Sequence, residues 1–166
     1  DINKAIHYLT LAAQQNDSNA QYNLGIIYYN DENVPRDIKK SIYYLQLSAS
    51  QKNKEALFTL GEIYEKGKYV NRDIKKALYF YQSSANQYYP RALLSIGYIY
   101  LSGRYVPIDI NKAIYYYQLA ANQNNRIAMF NLGQIHYIDS YGKKDVKKAI
   151  YYYKMSAEKG DILSNF

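Results

Sequence analysis

Residues 56–89 read ALFTLGEIYEKGKYVNRDIKKALYFYQSSANQYY, and the chain on either side repeats that pattern. A shift of 36 residues superposes Ala20, Ala56, Ala92 and Ala128, and with them Gly25, Gly61, Gly97 and Gly133. Asp1, Asp37, Asp73, Asp109 and Asp145 keep the same period, as do Lys4, Lys40, Lys76, Lys112 and Lys148. A fixed period of this length marks a stacked repeat array, in which each copy buries its apolar face against its neighbours. The copies run as a partial unit at 1–19, full units at 20–55, 56–91, 92–127 and 128–163, and the start of another at 164–166. The chain opens on the Asp that begins the second half of a unit. We therefore expect one repeat domain, 1–166, cut from a longer array.

Each unit reads as two helices. In the first, Ala56, Leu60, Ile63 and Tyr64 have helical spacing, repeated at Ala20, Leu24, Ile27 and Tyr28 and at the later copies. Gly67 and Gly103 are expected to end that helix in the left-handed conformation, with Asp31 and Asp139 as poorer stand-ins. A short link carries Val34, Val70 or Val106, and Pro35 and Pro107 precede an Asp placed to cap the second helix. The second helix then shows an apolar stripe at Ile74, Ala77, Leu78, Tyr81, Ser84 and Ala85. A mid-helix Gly costs about 0.5–1 kcal/mol relative to Ala. Four at one phase imply close helix–helix approach, with Ser41, Ala77, Ala113 and Ala149 as the expected facing residues. The fold class is all-α: a right-handed superhelical α/α solenoid of helix-turn-helix repeats.

Composition narrows the function classes. Apolar residues are 48% and charged residues 21% of the chain, ordinary globular usage that argues against wholesale disorder. No cysteine is present, which removes disulfides, thiolate metal sites and cysteine nucleophiles. No apolar run is long enough to span a bilayer. The opening DINKAIHYLTLAA is repeat sequence without the order of a signal peptide, so it leaves the compartment unknown. The net charge is +7, which fits either an anionic partner or a plain bias towards A/T codons, since Lys, Asn, Ile and Tyr all have purely A/T codons. Tyrosine is selected over phenylalanine, 23 against 4.

The unit pattern A-x3-LG-x2-Y-x2-G-x2-V-x2-D-x2-KA-x6-AA resembles the Sel-one-like repeat, a relative of the tetratricopeptide repeat. Ala92, Gly97, Tyr100, Gly103, Val106, Asp109, Lys112, Ala113, Ala120 and Ala121 carry the likeness, which recurs in every unit. Departures are Asp31, Ser41 after Lys40, and, in the last unit, His136 for Tyr and Asp139 and Gly142 for the loop Gly and Val. The last loop is therefore expected to be the least regular. The resemblance implies a scaffold or adaptor that assembles complexes, often at membranes. It brings no catalytic residue with it. A disulfide-bridged bacterial subgroup, linked to β-lactam binding, is a poor match for a chain without Cys.

Comparison among the units separates framework from variable positions. One face of the first helix changes completely: Asn19/Asn23/Ile26/Asn30, Glu55/Thr59/Glu62/Lys66, Arg91/Ser95/Tyr98/Ser102 and Ile127/Asn131/Gln134/Ile138. Steps of four, three and four keep each line on one side of its helix. First helices line the concave groove of such arrays, so these residues are the candidate groove for an extended peptide or partner helix. Ile26, Tyr98, Ile127 and Ile138 would there be apolar groups facing water, although scattered exposed apolar residues are ordinary. The outer face of the second helix repeats instead, as Lys39/Tyr43, Lys75/Tyr79, Asn111/Tyr115 and Lys147/Tyr151. With the neighbouring Lys40, Lys76, Lys112 and Lys148, this forms an alternative convex ridge for an anionic polymer or membrane surface. A simpler role for that ridge is to keep the outer surface soluble and to cover apolar atoms. A protein or peptide partner is the first expectation, ahead of nucleic acid or an anionic membrane.

Enzyme signatures are missing. His7 and His136 fall at non-equivalent positions, without metal-ligand spacing. No phosphate-binding Gly loop, nucleophile elbow or close carboxylate pair occurs, and no cofactor is called for. The Asp series reads as helix caps. Asn16-Asp17-Ser18 fits a glycosylation acceptor, a three-residue pattern that matters only in a secreted protein.

Overall fold

A computed structural model describes residues 1–30 and 32–160. Asp31, the expected stand-in for a helix-ending Gly, and the expected new unit at 164–166 lie outside the described residues. The described residues are all-α: α1 Ile2–Gln14, α2 Ser18–Asn30, α3 Ile38–Ser50, α4 Lys54–Lys66, α5 Ile74–Ala85, α6 Pro90–Ser102, α7 Ile110–Ala121, α8 Arg126–Tyr137 and α9 Val146–Glu158. A 3-10 turn at Asp139–Tyr141 precedes α9. The helices group into two compact units, Asp1–Gln87 and Tyr88–Phe166. Within them α2 packs chiefly on α3, α4 on α5, α6 on α7 and α8 on α9, so the folding element is a helical hairpin.

The caps follow from the Asp series. Asp37, Asp73, Asp109 and Asp145 have extended backbone, and their carboxylates accept from the backbone N–H of Lys40, Lys76, Lys112 and Lys148 at 2.9–3.0 Å. Each such cap contributes about 1 kcal/mol. The same four residues donate their own N–H to the carbonyls of Tyr28, Tyr64, Tyr100 and His136, which ties the start of one helix to the end of its partner. The first helices have caps that the period did not advertise. Asp17, Asn53 and Asn125 accept from the backbone N–H of Ala20, Ala56 and Ala128, while α6 begins on Pro90, which has no N–H in need of an acceptor.

Gly67 and Gly103 end α4 and α6 with φ of 61° and 62°. The last unit differs: α8 stops at Tyr137, Asp139 opens the 3-10 turn, and Gly142 is the left-handed residue, with φ 65°. Asp139 is therefore not the left-handed helix end; an extra turn displaces that role by three positions. The opposite loops turn on Asn16, Lys52, Tyr88 and Asn124, all left-handed with φ between 56° and 66°.

Close approach at the mid-helix glycines is real, but the neighbour differs from the small residues expected. A Cβ on Gly61 would meet Cδ1 of Tyr81 at 2.5 Å, and one on Gly133 would meet Cδ1 of Tyr153 at 2.6 Å. Leu45 fills the equivalent place against Gly25. The glycine is a notch that receives a large side chain from the facing helix. Ser41 does lie beside it, donating to the Gly25 carbonyl at 2.7 Å, and Ala77, Ala113 and Ala149 are buried. Buried serines add a second tie. Ser48, Ser84 and Ser156 donate to the carbonyls of Ser18, Lys54 and Arg126, each 30 residues earlier, at 2.7–3.0 Å.

Candidate functional site

The variable first-helix faces are best taken unit by unit. In the first unit, Asn23 on α2 is exposed and Ile26 half-buried. On α4, Glu55 is half-buried and Thr59 is buried, its hydroxyl donating back to the Glu55 carbonyl at 2.9 Å. Thr59 is thus committed to its own helix. Glu62 and Lys66 pair at 2.9 Å, and that hydrogen bond raises the Lys66 pKa against the lowering effect of burial. Asn53, the α4 cap, donates to Asn19 on the α2 face at 3.3 Å, so the two faces meet at their helix starts.

In the second unit, Arg91, Tyr98 and Ser102 on α6 are exposed and Ser95 is half-buried. On α8, Ile127 is exposed while Asn131 and Gln134 are half-buried, as is Ile138 just past the helix end. Of the four apolar groups expected to face water, Tyr98 and Ile127 are 55% and 50% exposed; Ile26 and Ile138 are half covered. The structure adds a residue that sequence reasoning left in the core. Tyr117 of α7 lies across the Gly97 notch, and its hydroxyl, within electrostatic reach of Tyr98 and Tyr141, sits beside Asn131 without hydrogen-bonding geometry. Burial, and then those two tyrosines, push its ionisation well above the ordinary tyrosine range, against a smaller lowering by the neighbouring Asn131 amide.

The outer face of the second helices is a repeated aromatic stack. In the first unit Tyr43 and Tyr79 are exposed, and each meets the next ring edge-on, Tyr44 at 5.2 Å and Phe80 at 5.3 Å. Tyr44 and Phe80 in turn stack on Tyr28 and Tyr64 of the first helix. In the second unit Tyr115 and Tyr151 repeat the arrangement over Tyr116 and Tyr152. His136 takes the Tyr place, stacked on Tyr152 at 5.8 Å and held by Nδ1 at 3.0 Å from the Lys143 carbonyl. These contacts give the tyrosine-rich composition a structural role.

Lys39, Lys75 and Lys147 are exposed. Lys40, Lys76 and Lys112 instead fold back over Tyr28, Tyr64 and Tyr100 at 4.8–5.2 Å, and each lies 3.4–3.9 Å from its own capping Asp. The charge of that inner lysine row is therefore matched locally. Arg36, in a cleft of about 670 Å³ beside Lys39, is likewise engaged, donating to the Tyr29 carbonyl and lying over Tyr69 at 4.7 Å. Asn16 of the possible glycosylation triplet accepts from Gln21 and Gln51 and turns the chain, a structural use of that side chain. Among the described residues, no helix is long and apolar enough to cross a membrane, and no group of three or more metal-ligating side chains gathers.

Similar proteins share this arrangement. The chain aligns with a Sel1 repeat protein from Oxalobacter formigenes at 30% identity, TM-score 0.87, covering 99% of this chain and 67% of that one. It aligns with a protective antigen of uropathogenic Escherichia coli, described as displaying an SLR fold, at 25% identity and TM-score 0.88. That match covers 96% of this chain and 34% of the antigen. Helicobacter pylori cysteine rich protein B, at 23% identity and TM-score 0.61, shares the fold over 77% of this chain and 92% of its own. No curated protein matches the chain by sequence. The Sel1 repeat fold is generally a scaffold for protein interaction. The Sel1 repeat model matches residues 1–17, 18–53, 54–89, 90–125 and 126–161, copy after copy in the hairpin frame just described, and the chain belongs to the Sel1 repeat family.

Proposed function

We propose that the chain is a non-catalytic adaptor that binds an extended peptide or a helix of a protein partner on the variable faces of α2, α4, α6 and α8. One observation carries this reading. The framework positions repeat and are spent on caps, notches and stacks, whereas the first-helix face changes residue type in every copy. Tyr98 and Ile127 leave apolar surface on that face, and Arg91 and Lys66 supply charge. Specificity would come from the mixture, and rigidity from the hairpins beneath it.

A second reading rests on the exposed rings Tyr43, Tyr79, Tyr115 and Tyr151, with Lys39, Lys75 and Lys147 four residues before three of them, as a surface for an anionic polymer or membrane. The local matching of Lys40, Lys76 and Lys112 by their capping aspartates weighs against it. Photo-crosslinking probes replacing Tyr98 and Tyr151 separate the two. A discrete protein set captured at Tyr98 alone supports the adaptor; nucleic acid or lipid captured at Tyr151, lost at raised salt, supports the second reading. Capture at neither position counts against both.

A further inference from the structure

The repeats can be compared at one buried hydroxyl. In residues 54–89, Tyr81 is fully buried and its hydroxyl donates to Glu65 Oε2 at 2.6 Å. In residues 90–125, Tyr117 occupies the same place, 1% exposed and seated in the Gly97 notch as Tyr81 is seated on Gly61. The residue equivalent to Glu65 is Leu101, which offers no acceptor. The Tyr117 hydroxyl is consequently buried with no hydrogen-bond partner. Native proteins rarely leave such a group unmatched, and an exception calls for a functional or structural account.

The surroundings define what would match it. Asn131, beside the hydroxyl, lies on the variable face of α8, and Tyr98, within electrostatic reach, lies on that of α6. Tyr141 of the 3-10 turn is also within electrostatic reach. Each of these can donate or accept a hydrogen bond, none is acidic, and none is placed to accept from the Tyr117 hydroxyl. The hydroxyl is shielded, so an incoming group reaches it by displacing a covering side chain; Tyr98 is more than half exposed and Asn131 partly so. A carboxylate has two oxygens able to accept several donors at once, and Glu65 shows that this pocket geometry accommodates one.

We infer that Tyr117, Tyr98 and Asn131 form a subsite that takes an Asp or Glu side chain of the bound partner peptide, which supplies in trans the acceptor that Glu65 supplies within the preceding repeat. This rests on the first-helix faces being the binding surface. The chain's net charge of +7 draws acidic peptides towards it. Tyr117 binds rather than reacts: burial keeps its hydroxyl protonated, and so a donor, at neutral pH.

The test uses short random peptides displayed on phage, selected on the chain and resynthesised. Tyr117→Phe should melt at or above the parent temperature, because it removes an unmatched polar group. Leu101→Glu, which restores the internal acceptor, should melt higher and bind the selected peptides less well. The peptides should share an acidic residue. Its change to Asn or Gln should weaken binding to the parent about tenfold or more, and to Tyr117→Phe hardly at all. A clearly lower melting temperature for Tyr117→Phe, peptides without a shared acid, or equal affinity for parent and Tyr117→Phe overturns the subsite. Peptides that depend on Tyr98 but not Tyr117 remove this inference and leave the adaptor standing. Peptides indifferent to both residues, or a library without binders, remove both.

Discussion

A Cβ placed on Gly97 would stand 2.7 Å from Cε1 of the Tyr117 ring. Ring atoms cannot retreat as a flexible side-chain end can, so Gly97→Ala should lose stability despite the helix propensity gained. The gain is about 1 kcal/mol, and overpacking typically costs ~1–3 kcal/mol. We expect a net loss in denaturant unfolding, larger for Gly97→Leu. Unchanged unfolding of Gly97→Leu would refute the notch.

Replacing the cap Asp73 by Ala should cost about 1 kcal/mol, because the first-turn N–H of Lys76 loses its acceptor. Replacing Lys76 by Ala should cost less, since it removes an exposed, 3.9 Å ion pair and a ring contact. The order of the two losses in thermal melts checks the assignment.

Ser84→Ala removes the donor to the Lys54 carbonyl and should cost about 1 kcal/mol. Ser83→Ala, one residue away and bonded only within its own helix, is the control and should change little. The pair is read by chemical denaturation.

Alkaline stability should reflect the buried phenols. Burial raises the ionisation of Tyr117, and also of Tyr44, Tyr152 and Tyr153. Above the unfolded value of about 10, the folded chain holds more protons than the unfolded chain. Stability is thus intact below that pH and falls as pH rises towards the folded values. Helical circular dichroism followed upwards from pH 9 should show the loss, and Tyr117→Phe should blunt it. At the acid end the sign reverses. The Lys112 N–H bond holds Asp109 below its ordinary range, so its contribution is present above about pH 4 and fades as pH falls.

On the candidate face, Tyr98→Ala should weaken partner binding without lowering the melting temperature. Glu62→Lys should do the same, apart from ~0.5 kcal/mol lost with its exposed pair to Lys66. Normal binding by both, with failure of Tyr79→Ala and Tyr115→Ala, would move the site to the outer face.

The repeat made most of this legible in advance. A period shared by Asp, Gly, Lys and Ala marks where the second helices begin, which residue caps them and where the helices of a hairpin touch. What the period could not display was chemistry carried by unlike residues at one phase. Asn16, Lys52, Tyr88 and Asn124 all turn the chain left-handed, yet none is Gly, so no shared letter marks the position. The partner of the mid-helix Gly was misread because small residues were expected where a ring enters the notch. Asp139 failed as a helix end because an inserted 3-10 turn moved the requirement to Gly142. On the candidate face, variation in residue type could not reveal that Thr59 is buried and bonded to its own backbone. Tyr117 was hidden for the same reason: its own letter is unchanged from Tyr81, and only the loss of Glu65 at Leu101 alters its state.

The serine, tyrosine and aspartate bonds that join these helices span at most 34 residues along the chain, less than one period. None of them needs a sequence-distant segment as partner. A duplication or deletion of one whole period would therefore copy or remove complete sets of bonds rather than sever them. Copy number is a quantity that such a chain can change by inheritance in a single step, while each face is altered one side chain at a time.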